Sequence, residues 1–139
     1  MVHLSTKSEY AVKVLVRLAL ADGDRPVQSR DIAAFTGVPP KFLEQVMHDL
    51  RQGGMVASQR GKGGGYLLAA DPAALTFADV IDLIDGSHGG KGRMRRGDQA
   101  EPLVAPVWSA VHEAVRDVLE SATIADAAAR ATAVPMYFI

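Results

Sequence analysis

Four polar side chains recur along one predicted helix at a spacing suited to contacting base pairs. They follow one another at intervals of three and four residues, which places them on a single helix face: Lys41, Glu44, Gln45 and His48. Their long hydrogen-bonding groups can reach the donors and acceptors in the major groove of DNA. The solvated face of any helix can carry the same residue types, so the four residues alone leave both interpretations open.

The other side of the same segment predicts a helix that packs against a protein core. Apolar residues recur there at i, i+1, i+4, i+5 and i+8: Phe42, Leu43, Val46, Met47 and Leu50. Pro39 and Pro40 favour a helix start at this point, because a proline in the first turn loses no helical hydrogen bond. The segment is therefore predicted to be an amphipathic helix with one buried and one outward stripe.

A shorter helix is predicted just before it, across a tight turn. Residues 29–34 have a helical pattern, and Gly37 suits the left-handed position that often ends a helix. Helix, glycine turn and helix over residues 29–52 are the sequence form of a helix-turn-helix. Further upstream, a first helix is predicted from near Thr6, because Thr6 and Glu9 have the spacing of a capping box.

A basic, glycine-rich segment follows the polar helix. Two short apolar runs, residues 55–58 and 66–68, flank the sequence RGKGGG at 60–65. Because glycine permits the backbone angles of a tight reversal, the segment predicts a β-hairpin, called the wing below. A nucleotide-phosphate loop is excluded by pattern, since Lys62 is not followed by Ser or Thr. A polar helix followed by a basic hairpin is the order of a winged helix-turn-helix.

The composition suits a small folded regulator. The 139 residues are 48% hydrophobic, enough for a core, and carry a net charge of −1. Residues 1–70 hold nine Lys and Arg against six Asp and Glu, while residues 71–139 hold six against ten. The basic first half is compatible with a DNA-facing surface. No secretory pattern or membrane span is evident, so a cytoplasmic location with no membrane partner is expected.

The C-terminal part predicts a dimerisation helix. From residue 102 to about 122, apolar residues follow steps of four and three: Val104, Trp108, Val111, Val115, Val118 and Ala122. This stripe is expected to pack on a second copy of the chain, and packing on its own domain is the alternative. Capping boxes are predicted on either side of that helix, in the pairs Thr76 with Asp79 and Thr123 with Asp126.

These segments together resemble the Rrf-two family of bacterial transcription regulators, which includes an iron–sulfur cluster regulator, a nitric-oxide-sensing repressor and a cysteine-metabolism repressor. The resemblance spans nearly the whole chain. The matching stretches are LSTKSEYAVKVLVRLA at 4–19, GVPPKFLEQVMHDLRQGGMV at 37–56, RGKGGGYLLA at 60–69, FADVIDLIDG at 77–86 and TIADA at 123–127.

The resemblance implies a homodimer that binds double-stranded DNA at a near-palindromic operator. Lys41, Glu44 and Gln45 would then approach bases in the major groove, where glutamate can accept from cytosine and glutamine can pair with adenine. Arg60 in the wing would enter the minor groove. Phosphate contacts are expected from Ser58 and Lys62, and His48 would meet DNA or phosphate.

The sequence departs from the cluster-binding relatives in its sensor. Those relatives supply three cysteines from the segment equivalent to about 88–106, whereas this chain has no cysteine. A cysteine-ligated iron–sulfur cluster is therefore ruled out. His88 and His112 are the remaining candidates for a metal or haem, but both are expected to face solvent. Glu9 stands where some relatives supply a carboxylate ligand, and a capping role is expected for it here. We predict no cofactor and no metal.

The sequence thus predicts a mainly α-helical fold with a small β-hairpin, organised as a winged helix-turn-helix plus a long C-terminal dimerisation helix. Residues 1–85 are assigned to the DNA-binding domain, 86–101 to a glycine-rich basic loop, and 102–139 to the dimerisation helix and C-terminal segment. We predict a dimeric, sequence-specific repressor that responds to a small-molecule effector or a protein partner. The alternative is a winged-helix module that acts through a partner protein. No arrangement of residues indicates an enzyme.

Overall fold

The computed structural model describes residues 4–21, 24–86 and 96–132 of the chain. It is mainly helical, with one antiparallel hairpin, as the sequence predicts. The elements in chain order are α1 (Thr6–Ala19), α2 (Ser29–Thr36), α3 (Pro40–Gln52), β1 (Val56–Gln59), β2 (Gly65–Leu68), α4 (Phe77–Asp85), α5 (Glu101–Ser121), α6 (Ile124–Ala129) and a 3₁₀ turn (Arg130–Thr132).

Helix α1 lies at the centre and packs against α2, α3, α4 and α6. Its buried face follows the helical repeat: Ala11, Val14, Leu15 and Leu18. Ile32 of α2, Val46 of α3 and Val80 of α4 meet this face in one apolar core. The core therefore holds the two helices of the helix-turn-helix against a common support.

The N-terminal cap of α1 differs from the predicted one. Ser5 is the cap, and its Oγ accepts a hydrogen bond from the Ser8 backbone nitrogen at 3.0 Å. Thr6 is already the first helical residue, so the third position is Ser8 and the predicted pairing of Thr6 with Glu9 is wrong. The other two predicted capping boxes, Thr76 with Asp79 and Thr123 with Asp126, are confirmed.

The buried stripe of α3 is confirmed except at its first residue. Leu43, Val46, Met47 and Leu50 are buried, but Phe42 is 50% exposed. Phe42 lies at the edge of the stripe, where its ring packs at a tilt against Tyr10 of α1, with the ring centroids 6.1 Å apart. The prediction that Phe42 is buried is therefore wrong, because α1 covers only one side of its ring.

The C-terminal elements return to the core after α5. Ile124 at the start of α6 is fully buried within the apolar core of α1. Its backbone nitrogen donates to the carbonyl of Leu75 at 2.9 Å, and Phe77 donates to the carbonyl of Ala122 at 2.9 Å. These bonds place the end of α5 beside the start of α4. The domain boundaries predicted from the sequence remain a prediction.

Candidate nucleic-acid interface

The outward face of α3 carries the four polar residues identified from the sequence: Lys41, Glu44, Gln45 and His48. All four are exposed, while the opposite face of the helix is buried. Helices α1 and α2 pack against that buried face. The polar face of α3 is therefore held outward by the core of the protein. The structure thus brings these side chains together on one accessible surface.

The turn between α2 and α3 sets the direction in which α3 leaves the core. Gly37 ends α2 with a φ of 72°, a left-handed conformation that glycine adopts without strain. The Thr36 hydroxyl donates to the Ile32 carbonyl at 2.7 Å and accepts from the Val38 backbone nitrogen at 3.3 Å. At the other side of α3, Lys7 of α1 forms an ion pair with Asp49. These contacts fix both the start and the last turn of the helix.

The wing is a two-stranded antiparallel hairpin that is anchored to the segment before α2. Ser58 pairs with Tyr66, and Val27 forms a further bridge to Tyr66 through two backbone hydrogen bonds of 2.9 and 2.8 Å. Gly65 passes so close to this bridge that a Cβ atom there would lie 2.5 Å from the Val27 carbonyl oxygen. A glycine is therefore needed at this position by close approach of the backbone.

The cations of the wing lie on its accessible loop. Arg60 and Lys62 are both exposed, and Ser58 is exposed on β1. Arg51, near the end of α3, donates from Nη1 to the Ser58 Oγ at 3.4 Å. This weak contact joins Arg51, near the end of α3, to Ser58 on β1. Exposed cationic and hydroxyl groups of this kind are the types that bind phosphate in protein–DNA complexes.

A broad apolar surface lies on α5, away from the wing. The whole helix has no buried residue, and its exposed large apolar side chains are Leu103, Val104, Val107, Trp108, Val111 and Val118. Four of the five predicted dimerisation residues are in this set. Val115 is half-buried instead. The heptad pattern missed Leu103 and Val107, which widen the stripe on one side.

The opposite face of α5 is held to α4 by charge. Arg116 donates two hydrogen bonds of 2.7 Å to the Asp82 carboxylate and one of 2.7 Å to Glu120. The hydrogen bonds to Asp82 and then Glu120 raise the pKa of Arg116 above its ordinary value. Arg116 therefore stays charged and orients α5 on α4. The sequence pattern did not identify the pair of Arg116 with Asp82, because the two residues are 34 positions apart in the chain.

His88 and His112 are the two residues that the sequence offers as candidate ligands of a metal or haem. His88 lies outside the described residues. His112 is half-buried, and its Nε2 atom is shielded from solvent without a hydrogen-bond partner among the described residues. The prediction that His112 faces solvent is therefore wrong, because its side of α5 turns toward α4. Within residues 4–21, 24–86 and 96–132, no group of three or more His, Cys, Asp or Glu side chains could hold a metal ion.

The amino-acid composition also shows whether this chain could hold a cysteine-ligated iron–sulfur cluster. A cysteine-ligated cluster needs thiolates, and the 139 residues contain none. Glu9, the carboxylate at the position used by some relatives, is exposed. The side chains of this chain therefore do not provide the ligands for such a cluster.

None of the helices in the described part of the chain is long and apolar enough to cross a membrane.

Comparison with known proteins agrees with the resemblance seen in the sequence. Residues 4–130 match the family model Rrf2, described as an iron-dependent transcriptional regulator. A Mycobacterium tuberculosis (strain H37Rv) protein, whose name marks it as a candidate HTH-type transcriptional regulator, is 39% identical over 130 residues. That alignment covers 91% of this chain and 81% of the relative.

Solved structures with the same fold carry related names. CymR, described as the global cysteine regulator of B. subtilis, superposes with a TM-score of 0.80 at 32% identity, covering 93% of this chain and 98% of that one. IscR of T. potens superposes with a TM-score of 0.78 at 33% identity, covering 99% and 96%. The fold and the element order are thus those of known transcription regulators.

Proposed function

Since this chain belongs to the Rrf2 family of transcriptional regulators, we propose that it acts as a homodimeric repressor on a near-palindromic DNA operator. Membership makes the chain a DNA-binding regulator and not an enzyme. The observation that carries the proposal is the exposed polar face of α3 beside the basic wing. A helix and a loop in this order can enter a major groove and the adjacent minor groove.

Each half of the operator would be contacted by one copy of the chain. Lys41, Glu44 and Gln45 would contact base edges, with His48 beside them on DNA or phosphate. Arg60 would enter a narrow minor groove, whose negative potential favours arginine. Ser58 on β1 and Lys62 in the loop of the wing would bind phosphate. These contacts would set the position of the protein on DNA without selecting a sequence.

The dimer would form through the apolar surface of α5. Its side chains include Trp108, which is 54% exposed, and Leu103, which is 79% exposed. Exposed apolar surface of this extent on one helix favours burial against a partner. Because a two-fold dimer presents two copies of α3, its binding site on DNA would be near-palindromic.

Repression would follow from occlusion of the DNA by the bound dimer, in the cytoplasm. The signal would be a small-molecule effector or a protein partner rather than a cysteine-ligated cluster, and no resident cofactor is required by the proposal. Any such signal must bind the DNA-competent and DNA-incompetent states with different affinities. The segment between α4 and the middle of α5 joins the DNA-binding unit to the dimer surface, and is our candidate for the site of this change.

The experiment that tests the proposal is selection of bound sequences from a random DNA pool at fixed salt. Enrichment of a two-fold symmetric site is expected. Glu44→Ala should then lose base preference at one position in each half-site, because it removes the acceptor for that base. Lys62→Ala serves as the matched control, since a phosphate contact should lower affinity without changing the preferred sequence.

One result would contradict the proposal, and another would revise its set of base-contacting residues. Failure to enrich any symmetric site would leave the alternative, a winged-helix module that acts through a partner protein. An unchanged base preference in Glu44→Ala would remove Glu44 from the residues that read sequence.

A further inference from the structure

A recess of about 280 Å³ opens between α2, α3 and the wing. Its walls are mainly apolar and come from these three elements: Ala33, Pro40, Leu43, Met47 and Tyr66. Leu43 and Met47 are 3% and 2% exposed and belong to the core, whereas Pro40 at the start of α3 is exposed. The recess thus reaches from the surface down to the core beside the first turns of α3.

Three exposed polar residues complete the lining of the recess: Ser29, Arg30 and Glu44. Glu44 is one of the residues proposed to contact a base. Ser29 and Arg30 begin α2, where the exposed Arg30 guanidinium can pair with an anion such as phosphate, and Asp31 is the acidic residue of the same turn. An apolar recess therefore lies between a base-reading side chain and a group suited to the DNA backbone.

We propose that this recess receives the C5-methyl group of a thymine that neighbours the base contacted by Glu44. The inference rests on the proposed function, because it requires α3 to lie in the major groove. Thymine is the base that presents a methyl group there, while the other groups on the base edges are hydrogen-bond donors and acceptors. A polar base edge placed against Ala33, Leu43 and Met47 would lose its hydrogen bonds with water, which costs free energy.

The recess is larger than one methyl group, and in the proposed complex the DNA backbone would cover the rest of it. In B-form DNA the thymine methyl lies against the sugar of the preceding nucleotide on the same strand. The carbon atoms of that sugar are also apolar, so they extend the surface that the recess would cover. Arg30 at the rim is then close to the phosphate that joins the two nucleotides. The methyl group and the sugar would contact the apolar walls of the recess, and the phosphate would contact Arg30.

The test uses the selected operator with each thymine replaced singly by deoxyuridine, which lacks only the methyl group. At one thymine in each half-site, the replacement should weaken binding of the wild-type chain about fourfold, the effect of exposing one methyl group. Ala33→Leu fills the recess, so it should weaken binding to the thymine operator and abolish the difference between thymine and deoxyuridine. Affinities are measured by fluorescence anisotropy.

Ala34→Leu is the matched control. Ala34 is exposed on the same helix and does not line the recess, so this variant should keep the fourfold difference. Thermal unfolding of both variants shows whether each is folded. An operator that tolerates deoxyuridine at every thymine, or discrimination that persists in Ala33→Leu, would overturn the inference alone. A pool with no enriched site would overturn the proposed function and the inference together.

Discussion

At the scale of single residues, the side chain of Ser5 joins two helices. Its hydroxyl accepts from the Ser8 backbone nitrogen, which caps α1, and donates to a carboxylate oxygen of Asp85 at the end of α4. The Ser8 hydroxyl is fully buried and donates in turn to the Ser5 carbonyl at 2.8 Å. Ser5 therefore stabilises the start of α1 and ties it to Asp85, the last residue of α4.

Replacement of Ser5 by alanine should destabilise the protein. Loss of an N-terminal cap lowers the free energy of unfolding by about 0.5–2 kcal/mol, and the contact with Asp85 is lost as well. Thr6→Ala is the matched control, because Thr6 lies within α1 and does not cap it. Urea unfolding at neutral pH measures both variants. If Thr6→Ala proved as destabilising as Ser5→Ala, the cap would be Thr6, as the sequence pattern first indicated.

At the scale of elements, the wing depends on a segment far from it in the chain. The bridge between Val27 and Tyr66 fixes the base of the hairpin to the residues before α2. The loop that carries Arg60 and Lys62 is thereby held at a set position relative to α3. These two cations are close in sequence, yet the proposed function assigns them different roles.

Alanine substitutions in the wing should separate the two roles. Arg60→Ala should weaken binding most on operators with A·T-rich flanks, because a narrow minor groove is the feature that favours arginine. Lys62→Ala should weaken binding by a similar factor on all flanks and reduce the salt dependence of binding by about one phosphate contact. Titrations of labelled operators over a range of salt concentrations measure both effects. An equal loss on all flanks in Arg60→Ala would make Arg60 a phosphate contact too.

At the scale of the whole molecule, α5 contributes no buried residue to the core, whereas α6 after it contributes Ile124. Helix α5 extends from α4 with its apolar surface exposed, and α6 then packs on α1 through Ile124. The C-terminal segment thus contributes to the core that supports α3. Dimerisation and DNA binding would be joined through this shared core rather than through α5 alone.

Ile124→Ala tests the contribution of α6 to this core. Ile124 is fully buried, so its truncation should lower the free energy of unfolding by about 2–5 kcal/mol through lost burial and a cavity. Leu103→Ala removes a similar volume from a side chain that is 79% exposed, and should not destabilise the core that surrounds α1. Comparison requires denaturant unfolding at several protein concentrations, because Leu103 lies on the proposed dimer surface. Little effect of Ile124→Ala would show that α6 is dispensable for the core.

Trp108→Asp tests the dimer. A carboxylate in the middle of the proposed apolar interface would be buried without a partner, so the dimer should dissociate into monomers. Ser109→Asp places the same charge on the neighbouring exposed residue, outside the apolar set, and should leave the dimer intact. Sedimentation velocity distinguishes the two species. A dimer that survives in Trp108→Asp would locate the interface elsewhere on the molecule.

Much of the fold followed from local patterns in the chain. The repeat of buried positions predicted α3, the paired Thr and Asp residues predicted two helix starts, and the glycine run predicted the wing. The helix predictions depend on residues within a few positions of one another, so a local pattern is enough to make them. For the wing, the glycine run indicates the chain reversal, and the bridge from Val27 fixes where the hairpin lies. The exposed set on α3 was predicted for the same reason, since the core face of a helix leaves its other face to solvent.

Other features required contacts between distant segments. Phe42 is half exposed because Tyr10 meets only one side of its ring, and His112 is half-buried because its side of α5 turns toward α4. Gly65 is required by the approach of Val27, and the recess beside Glu44 exists only where α2, α3 and β2 converge. The sequence therefore determined which helices form and which polar residues share a face. The packing of distant elements determined how far Phe42 and His112 are exposed, the need for Gly65 and the shape of the surface proposed to meet DNA, because those depend on atoms that approach one another only after folding.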